Sequence, residues 1–479
     1  MFDKRLIVLS FLLLIWNNTY AQDSFEQPKN LAKAMIEKLM DLPNTPPGMS
    51  IAISQKGKII FAEGFGYANL ETKRRVTPNT QFRAASVSKV IAATSLAKLI
   101  QDKKIDLDEP VYSYVPMFPK KKYSFSTRQL AGHIAGIPHY SYKDKIEQRF
   151  YKSVEEALGV FAHIELLHEP GSEYQYSTHG YTLLSKVIEG ASNQNFLDYL
   201  NNKVLKPLSM QATQPDFRSN PSIEMTELYD FYKEGMNKGL PVKISNPEDP
   251  SYKWAGGGMV STPTDLTKMG DSYINGFIKP SIVKTMFESQ KLSSGKKTGV
   301  GIGWRENWDI DGRRIHEHAG SMGGTRSVIS IFPDEKLTIS IMANAQKIWA
   351  IEETAHMIAL LFLTPSTPIT QPKGKAEVIL KVRNKGKEIG KKGILILDGE
   401  NDRLIIEPNT GNMKIYPLIY LQIKNKYALI HPHGILNTTI DFNNNTISGK
   451  TMYYRSPGLV KPSQGLPLLR FSGSFTSEN

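Results

Sequence analysis

Ser86 and Lys89 stand three positions apart in AASVSKV (84–90), where the apolar stretch IAATSLAKLI begins. On a helix, positions i and i+3 share a face, so a hydroxyl and an amine at this spacing meet side by side. A serine beside a lysine that has lost its proton is a nucleophile beside its base. The positive end of a helix and burial both disfavour the ammonium form and bring a lysine into range for proton transfer. Spacing alone selects nothing, because Ser95/Lys98, Ser281/Lys284, Ser293/Lys296 and Ser294/Lys297 repeat it. Context separates them: Ser95 falls inside the helix, where a serine hydroxyl tends to bond the carbonyl four residues back. Ser281 follows Pro280 at a helix start, and Ser293 and Ser294 lie in the polar SSGKK, where nothing desolvates a lysine.

A leaving group needs a proton, and PGSEYQYSTHGYTLLSKVIE (170–189) offers a shuttle. Tyr176 precedes Ser177, Thr178 and Gly180 on a loop entering a helical apolar pattern. A phenol, with an ordinary pKa of about 10, works as a base or acid only beside cations that stabilise phenolate, and Lys89 is a candidate for that cation. The third element is HEHAGSMGG, where His318-Ala319-Gly320 reads as a strand whose glycine permits close approach by a substrate. The amides of Ser86 and Ser321 would then form an oxyanion hole. His316 and His318 share one strand face, but no third ligand has recognisable metal spacing. His-Glu-x-x-His and Gly-x-Ser-x-Gly are both absent. Asp309-Ile-Asp311-Gly312 reads as a hairpin turn rather than a calcium loop. Neither a metal nor a cofactor is expected.

The elements that must position these groups can be read in order. NLAKAMIEKLMDL (30–42) has helical spacing and ends at NTPPG. GMSIAISQKGKIIFAEGFGYA (48–68) switches to period two and predicts a hairpin turning at Gln55-Lys56-Gly57. From Ser86 to about Gly270 the pattern is mostly helical with long polar loops. RRIHEHAG (313–320), RSVISIFPDEKLTISIMAN (326–344) and AIEETAHMIALLFL (350–363) then predict a strand, a hairpin and a closing helix. That order predicts an α/β domain over 22–365: one mainly antiparallel sheet built from the chain ends and flanked by helices, with a helical region inserted. TPSTPITQPKGK (364–375) is rich in Pro and Thr and gives a linker at 366–375. Beyond it, short alternating runs such as EVILKV, GILILD and KYALIHP predict a small all-β domain over 376–479. A chain ending near Thr370 is then expected to fold by itself.

The 479 residues carry no cysteine, which removes disulfides, thiol nucleophiles and cysteine-based zinc sites. Lys4 and Arg5, the apolar run 6–16 and Thr19-x-Ala21 predict a signal peptide over 1–21, hence a periplasmic or secreted protein. The run is shorter than the roughly 18–20 residues that span a bilayer. Of the net charge of +13, much is C-terminal: residues 371–479 hold 16 Lys and Arg against 8 Asp and Glu, densest in KVRNKGKEIGKK (381–392). No aromatic residues interleave there and no nucleic-acid motif accompanies it, so the expected reading is a solvated strand edge or attraction to an anionic envelope polymer.

Ser-x-x-Lys, Tyr-Ser-Thr and His-Ala-Gly, in that order, resemble the serine beta-lactamase and penicillin-binding family of the class C type, with its D-aminopeptidase and esterase relatives. STRQLAGHIAGIPHY (126–140), SYKWAGGGMVSTPTDLTKMG (251–270) and GVGIGW (299–304) are similar to further segments of that family. The resemblance covers about residues 30–365. It implies a beta-lactamase/transpeptidase-like fold, Ser86 as acylated nucleophile, Lys89 and Tyr176 as acid/base pair, and the Ser86 and Ser321 amides as oxyanion donors. Thr178, His318 and Gly320 would contact substrate. Thr178 stands where many members carry Asn, and His318, titrating near pH 6.5, stands where many carry Lys. The implied activity is hydrolysis of a peptide, D-amino-acid amide or ester. A true beta-lactamase or D-Ala-D-Ala carboxypeptidase is one alternative. The other is a non-catalytic scaffold, since some relatives assemble into filaments, and a homo-oligomer is expected on the same ground.

Overall fold

The first hairpin forms as its sequence dictates. β1 (Gly48–Gln55) and β2 (Lys58–Asn69) join through Lys56 and Gly57, both at positive φ, the geometry that matches the strand twist. This computed structural model describes residues 25–141, 148–366, 373–384, 387–407, 413–453 and 466–476. The expected signal peptide and most of the expected linker lie outside them.

The hairpin pairs with strands from the far end of the same domain. With β3 (Arg74–Arg75), β4 (Arg305–Trp308), β5 (Arg314–Met322), β6 (Thr325–Phe332) and β7 (Leu337–Ala343), it makes a seven-stranded antiparallel sheet in the order β3-β2-β1-β7-β6-β5-β4. β4 and β5 are joined by the expected turn, where the Asp309 carboxylate accepts from the amides of Asp311 and Arg313.

Each face of the sheet takes its own helices. Met49, Ile51 and Ile53 of β1 face α1 (Glu26–Met40) and the closing helix, and share one apolar cluster with them. On the other face lie α2 (Ser88–Gln101), α3 (Thr178–Ser192) and α4 (Pro263–Asp271), the inserted helical region, around Trp304 and Tyr181. Ser54 of β1 and Thr338 of β7 both donate to Asp271, fixing the end of α4 on the sheet. The closing helix α5 (Ile351–Leu363) is pinned by a buried polar group: Glu317 of β5 accepts from His356 of α5 at 2.7 Å and from Ser330 and Asn307. Without these partners a buried carboxylate would be prohibitively costly. His316, on the opposite face of β5, stacks on Phe287 at 3.9 Å.

Residues 374–476 form a closed eight-stranded barrel. Its strands are β8 (Gly374–Asn384), β9 (Lys387–Leu397), β10 (Arg403–Ile406), β11 (Lys414–Ile423), β12 (Lys426–His431), β13 (Gly434–Asn443), β14 (Thr446–Tyr453) and β15 (Leu466–Thr476). Ala376, Val378 and Leu380 alternate inward and meet Leu395, Leu404, Ile447 and Phe471, so the interior is packed with side chains. β8 starts two residues inside the expected linker. The described residues of the basic run lie on β8 and β9, which are paired on both sides in the closed barrel, so these strands do not form the expected edge.

The barrel is a domain by topology, but it does not stand alone. Leu421, Ile423, Ala428, Ile430 and Ile435 belong to the same apolar cluster as α1, α5 and the sheet. Lys426 pairs with Asp311 of the β4–β5 turn. The expectation that a chain ending near Thr370 folds by itself is therefore corrected, because that truncation uncovers an apolar face of the catalytic domain. Such a chain is expected to aggregate. In the full chain, Ile430→Ala should cost about 2–5 kcal/mol, as for other buried large-to-small changes. Soluble yield and denaturant melts measure both; a truncated chain that stays monomeric with an unchanged midpoint would show the contact to be dispensable.

Candidate active site

Ser86 lies in a single 3-10 turn (Ala85–Val87) feeding α2. That turn is held from several sides. The Ala84 amide donates to Met259, the Ala84 carbonyl accepts from Ser327, and the Arg83 carbonyl accepts from Thr325. The buried Arg83 guanidinium is anchored by Asp216 at 2.7 Å. Ala85 adopts φ 47°, left-handed backbone that a residue with a Cβ occupies only under constraint.

Lys89, one turn beyond Ser86 at the start of α2, is completely buried. Its Nζ lies 3.3 Å from Ser86 Oγ, 3.1 Å from Thr178 Oγ1 and against the Gly256 carbonyl. Gly256 has no room for a side chain: a Cβ there would come within 2.7 Å of the Thr178 methyl. Burial, then the Lys253 and Arg305 cations, holds the Lys89 ammonium well below the ordinary lysine value. A neutral amine has two hydrogens and one lone pair. With the hydrogens directed at Gly256 and Thr178, the lone pair is left for Ser86. Of the competing pairs, Ser95 is buried with no hydrogen-bond partner among the described residues; the expected back-bond is made by its neighbour Thr94 to Val90.

Tyr176 completes the group. Its hydroxyl is directed to the Ser86 side, and its ring lies 4.8 Å from Lys89 Nζ. The next residue, Ser177, caps α3: its Oγ accepts from the Gly180 amide and donates to the Pro138 carbonyl. Burial raises the phenol above the ordinary tyrosine value, outweighing Arg305 and Ser86. Tyr176 is therefore a protonated phenol at rest. Desolvation pushes the Lys89 ammonium down and the Tyr176 phenol up, which favours lysine as base and tyrosine as acid over a phenolate stabilised by cationic Lys89.

The three residues expected to contact substrate all have partners within the chain. Thr178 is buried and accepts from Lys89, with its amide donated to His139, so its side chain is a partner of the base. Gly320 is needed for packing, since a Cβ there would sit 2.4 Å from the Ala84 carbonyl oxygen and 3.0 Å from the Ala85 methyl. That contact draws β5 against the nucleophile turn and places Ser321 beside it. His318 is buried, with Nδ1 on the Ala319 carbonyl, and burial and then Arg305 hold it well below the ordinary histidine value. It does not titrate near pH 6.5. KM for a carboxylate substrate is then expected to stay flat between about pH 5 and pH 8.

The cation that sequence reading missed is Arg305, directly after GVGIGW. Its guanidinium lies 5.7 Å from the Tyr176 ring, and among the described residues it has no acidic partner. A lone arginine on a four-residue strand gives no signal until β4 is placed beside the cleft. His133 and His139 flank the Tyr176 ring at 4.6 and 5.5 Å and accept the amides of Ser177 and Thr178. Lys253, ion-paired with Glu248 at 2.9 Å, lies along Gly257 on the far side of the Gly256 wall. At the Ser321 side, Gln346 donates to Ser321 Oγ, Arg326 holds the carbonyls of Ile348 and Trp349, and the Ala350 amide donates to His433 of the barrel. The barrel thus braces the loop bordering this side of the cleft. Among the described residues no three His, Asp or Glu side chains converge as a metal site.

The beta-lactamase family profile matches residues 33–361, which is more than half of the chain and includes every residue of this cluster. The chain belongs to the beta-lactamase family. It is similar to the human mitochondrial serine beta-lactamase-like protein LACTB, at 28% identity over 66% of this chain and 76% of that one. The fold is similar to that of the octameric penicillin-binding protein homologue from Pyrococcus abyssi, with a TM-score of 0.60, 21% identity, and coverage of 92% of this chain and 99% of that one. Coverage of 92% extends past residue 361 and into the barrel. The D-amino acid amidase from Ochrobactrum anthropi SV3 matches with a TM-score of 0.57 at 23% identity, over 67% of this chain and 91% of that one. Membership of this family of serine hydrolases agrees with the chemistry of the cluster.

Activity should follow the charge state of Lys89. It must be neutral to act, so kcat/KM for a neutral ester rises as pH passes its lowered pKa. Arg305→Gln removes one of the cations that lower it and should move this limb to higher pH. Lys89→Ala and Tyr176→Phe should each lose about 10²–10⁴ in rate. A limb unmoved in Arg305→Gln would separate the guanidinium from the lysine's electrostatics.

Proposed function

We propose that this chain is an exported serine hydrolase that forms an acyl-enzyme on Ser86 and hydrolyses a peptide, D-amino-acid amide or ester. The observation that carries the reading is the complete burial of Lys89, with no acidic partner among the described residues and its Nζ 3.3 Å from Ser86 Oγ, and Tyr176 with its ring 4.8 Å from the same amine. Lys89 takes the Ser86 proton as Oγ attacks the carbonyl carbon. Charge develops on the carbonyl oxygen, towards the amides of Ser86 and Ser321, which need no reorganisation to receive it. Tyr176 gives its proton to the leaving nitrogen or oxygen and is reprotonated from Lys89. Water then enters by the reverse sequence and frees the acid. No step calls for a cofactor.

A second reading, a D-Ala-D-Ala carboxypeptidase or true beta-lactamase, is favoured by Arg305, a guanidinium at the cleft without an acidic partner among the described residues and suited to a substrate carboxylate. Against efficient antibiotic turnover stands the engagement of Thr178 with Lys89, which leaves no side-chain amide there for an acylamide. A scaffold role is disfavoured, because a structural protein gains nothing from burying an unpaired lysine. Export rests on Lys4, Arg5 and the apolar run 6–16. Assembly into a homo-oligomer is supported by the octameric homologue of the same fold.

The reading is tested with nitrocefin, p-nitrophenyl esters, D-Ala-D-Ala peptides, D-amino-acid amides and L-peptides. Turnover of an ester or D-amide, lost in Ser86→Ala together with fluorophosphonate labelling by intact mass, is the expected result. Labelling that survives in Ser86→Ala would remove the nucleophile from this assignment.

A further inference from the structure

The outer wall of the barrel carries an arrangement that sheets ordinarily avoid. Arg470 of β15 is directly paired with Lys381 of β8 on one side and with Lys450 of β14 on the other. Paired positions bring side chains within about 5 Å, and like charges placed directly opposite are destabilising. All three are exposed, and among the described residues none has an acidic partner. The row continues through Thr439 of β13 to Lys426 of β12. Lys426 differs from the others in one respect: where the wall meets the catalytic domain, it is neutralised by Asp311. One cation of the row has an anion and three are without.

Protection against strand-to-strand aggregation is the usual purpose of lysines on a sheet edge, and a closed barrel has no edge to protect. The three cations instead line a cleft of about 680 Å3. Ser448, Ser472 and Thr439 add hydroxyls to it. Its one carboxylate among the described residues, Asp441, accepts from Asn443. Among the described residues the only aromatic ring that lines it, Phe471, is 4% exposed and packs inward.

We propose that this cleft binds a linear glycan bearing carboxylate or sulfate groups, lying across β14, β15 and β8 with its anions on Lys450, Arg470 and Lys381. Strands are about 4.8 Å apart, so the cations repeat at a spacing comparable to one sugar unit. The hydroxyls suit sugar hydroxyls. Single-stranded nucleic acid asks for exposed rings on which bases stack, and a membrane surface asks for an apolar face. Among the described residues the cleft offers no exposed ring, and Ile379 is its only exposed large aliphatic side chain. The site is independent of the catalytic reading.

The test uses the full chain and fluorescence anisotropy with labelled polygalacturonate and heparin oligosaccharides, in parallel with single-stranded DNA of equal charge and phosphatidylglycerol vesicles. Binding of one or both glycans at low ionic strength, weakening with added salt, is expected. Combining Lys381→Gln, Lys450→Gln and Arg470→Gln should weaken it at least about ten-fold, one decade in Kd. Lys424→Gln, an exposed control on the β11–β12 turn, should bind as the parent does, and all variants should hydrolyse a p-nitrophenyl ester equally. The proposal is overturned if neither glycan binds, if the triple variant binds as tightly as the parent, or if DNA or vesicles are preferred to both glycans.

Discussion

Desolvation of one amine organises the site. Burying a lysine without a counter-ion costs free energy unless the proton leaves, and Lys89 is buried with no carboxylate against it. Lys253, almost as deeply buried, has Glu248 as its counter-ion; Lys89 has a carbonyl, a hydroxyl and the nucleophile. Much of the surrounding sequence can be understood as enforcing that difference. Gly256 admits the carbonyl, Thr178 supplies the hydroxyl, and Tyr181 and Tyr176 place their rings over the amine and exclude water. The same dryness keeps the Tyr176 phenol protonated, so a single physical cause separates the base from the acid.

Some of this was legible in the sequence and some was not, for physical reasons. Period-two runs at 48–68 and 313–344 and helical runs at 30–42 and 350–363 gave the sheet, its flanking helices and the inserted region, because each element must bury a face whose period is local. Ser86, Lys89 and Tyr176 were recoverable as an ordered set. Their charge states were not, since these depend on what lies overhead in three dimensions. Gly320 was noted for close approach, but the approaching group is the Ala84–Ala85 backbone, more than two hundred residues away in the chain. His318 looked like a titrating cation until its neighbours were known, and Arg305 carried no pattern at all. The alternating runs after residue 376 indicated strands, yet closure into a barrel is a long-range property that alternation does not encode.

The barrel's relation to the catalytic domain follows from where apolar residues were placed on its outside. Most outward positions of a small barrel face water, but Leu421, Ile423 and Ile430 turn towards α1 and α5. The bond between His433 and Ala350 extends this contact to the loop beside Ser321. The catalytic domain is thus bounded by the barrel as well as by its own helices.

Gly320, facing the turn at Ala85, imposes a constraint on descent. The left-handed turn before the nucleophile carries a methyl at 85, and the facing strand admits none at 320, where a Cβ would meet Ser327 Oγ at 2.3 Å and the Ala84 carbonyl oxygen at 2.4 Å. Shrinking residue 85 would relieve neither contact. Lineages that retain this turn should therefore keep glycine at 320 whatever stands at 85, an invariance imposed by backbone packing rather than by proton transfer.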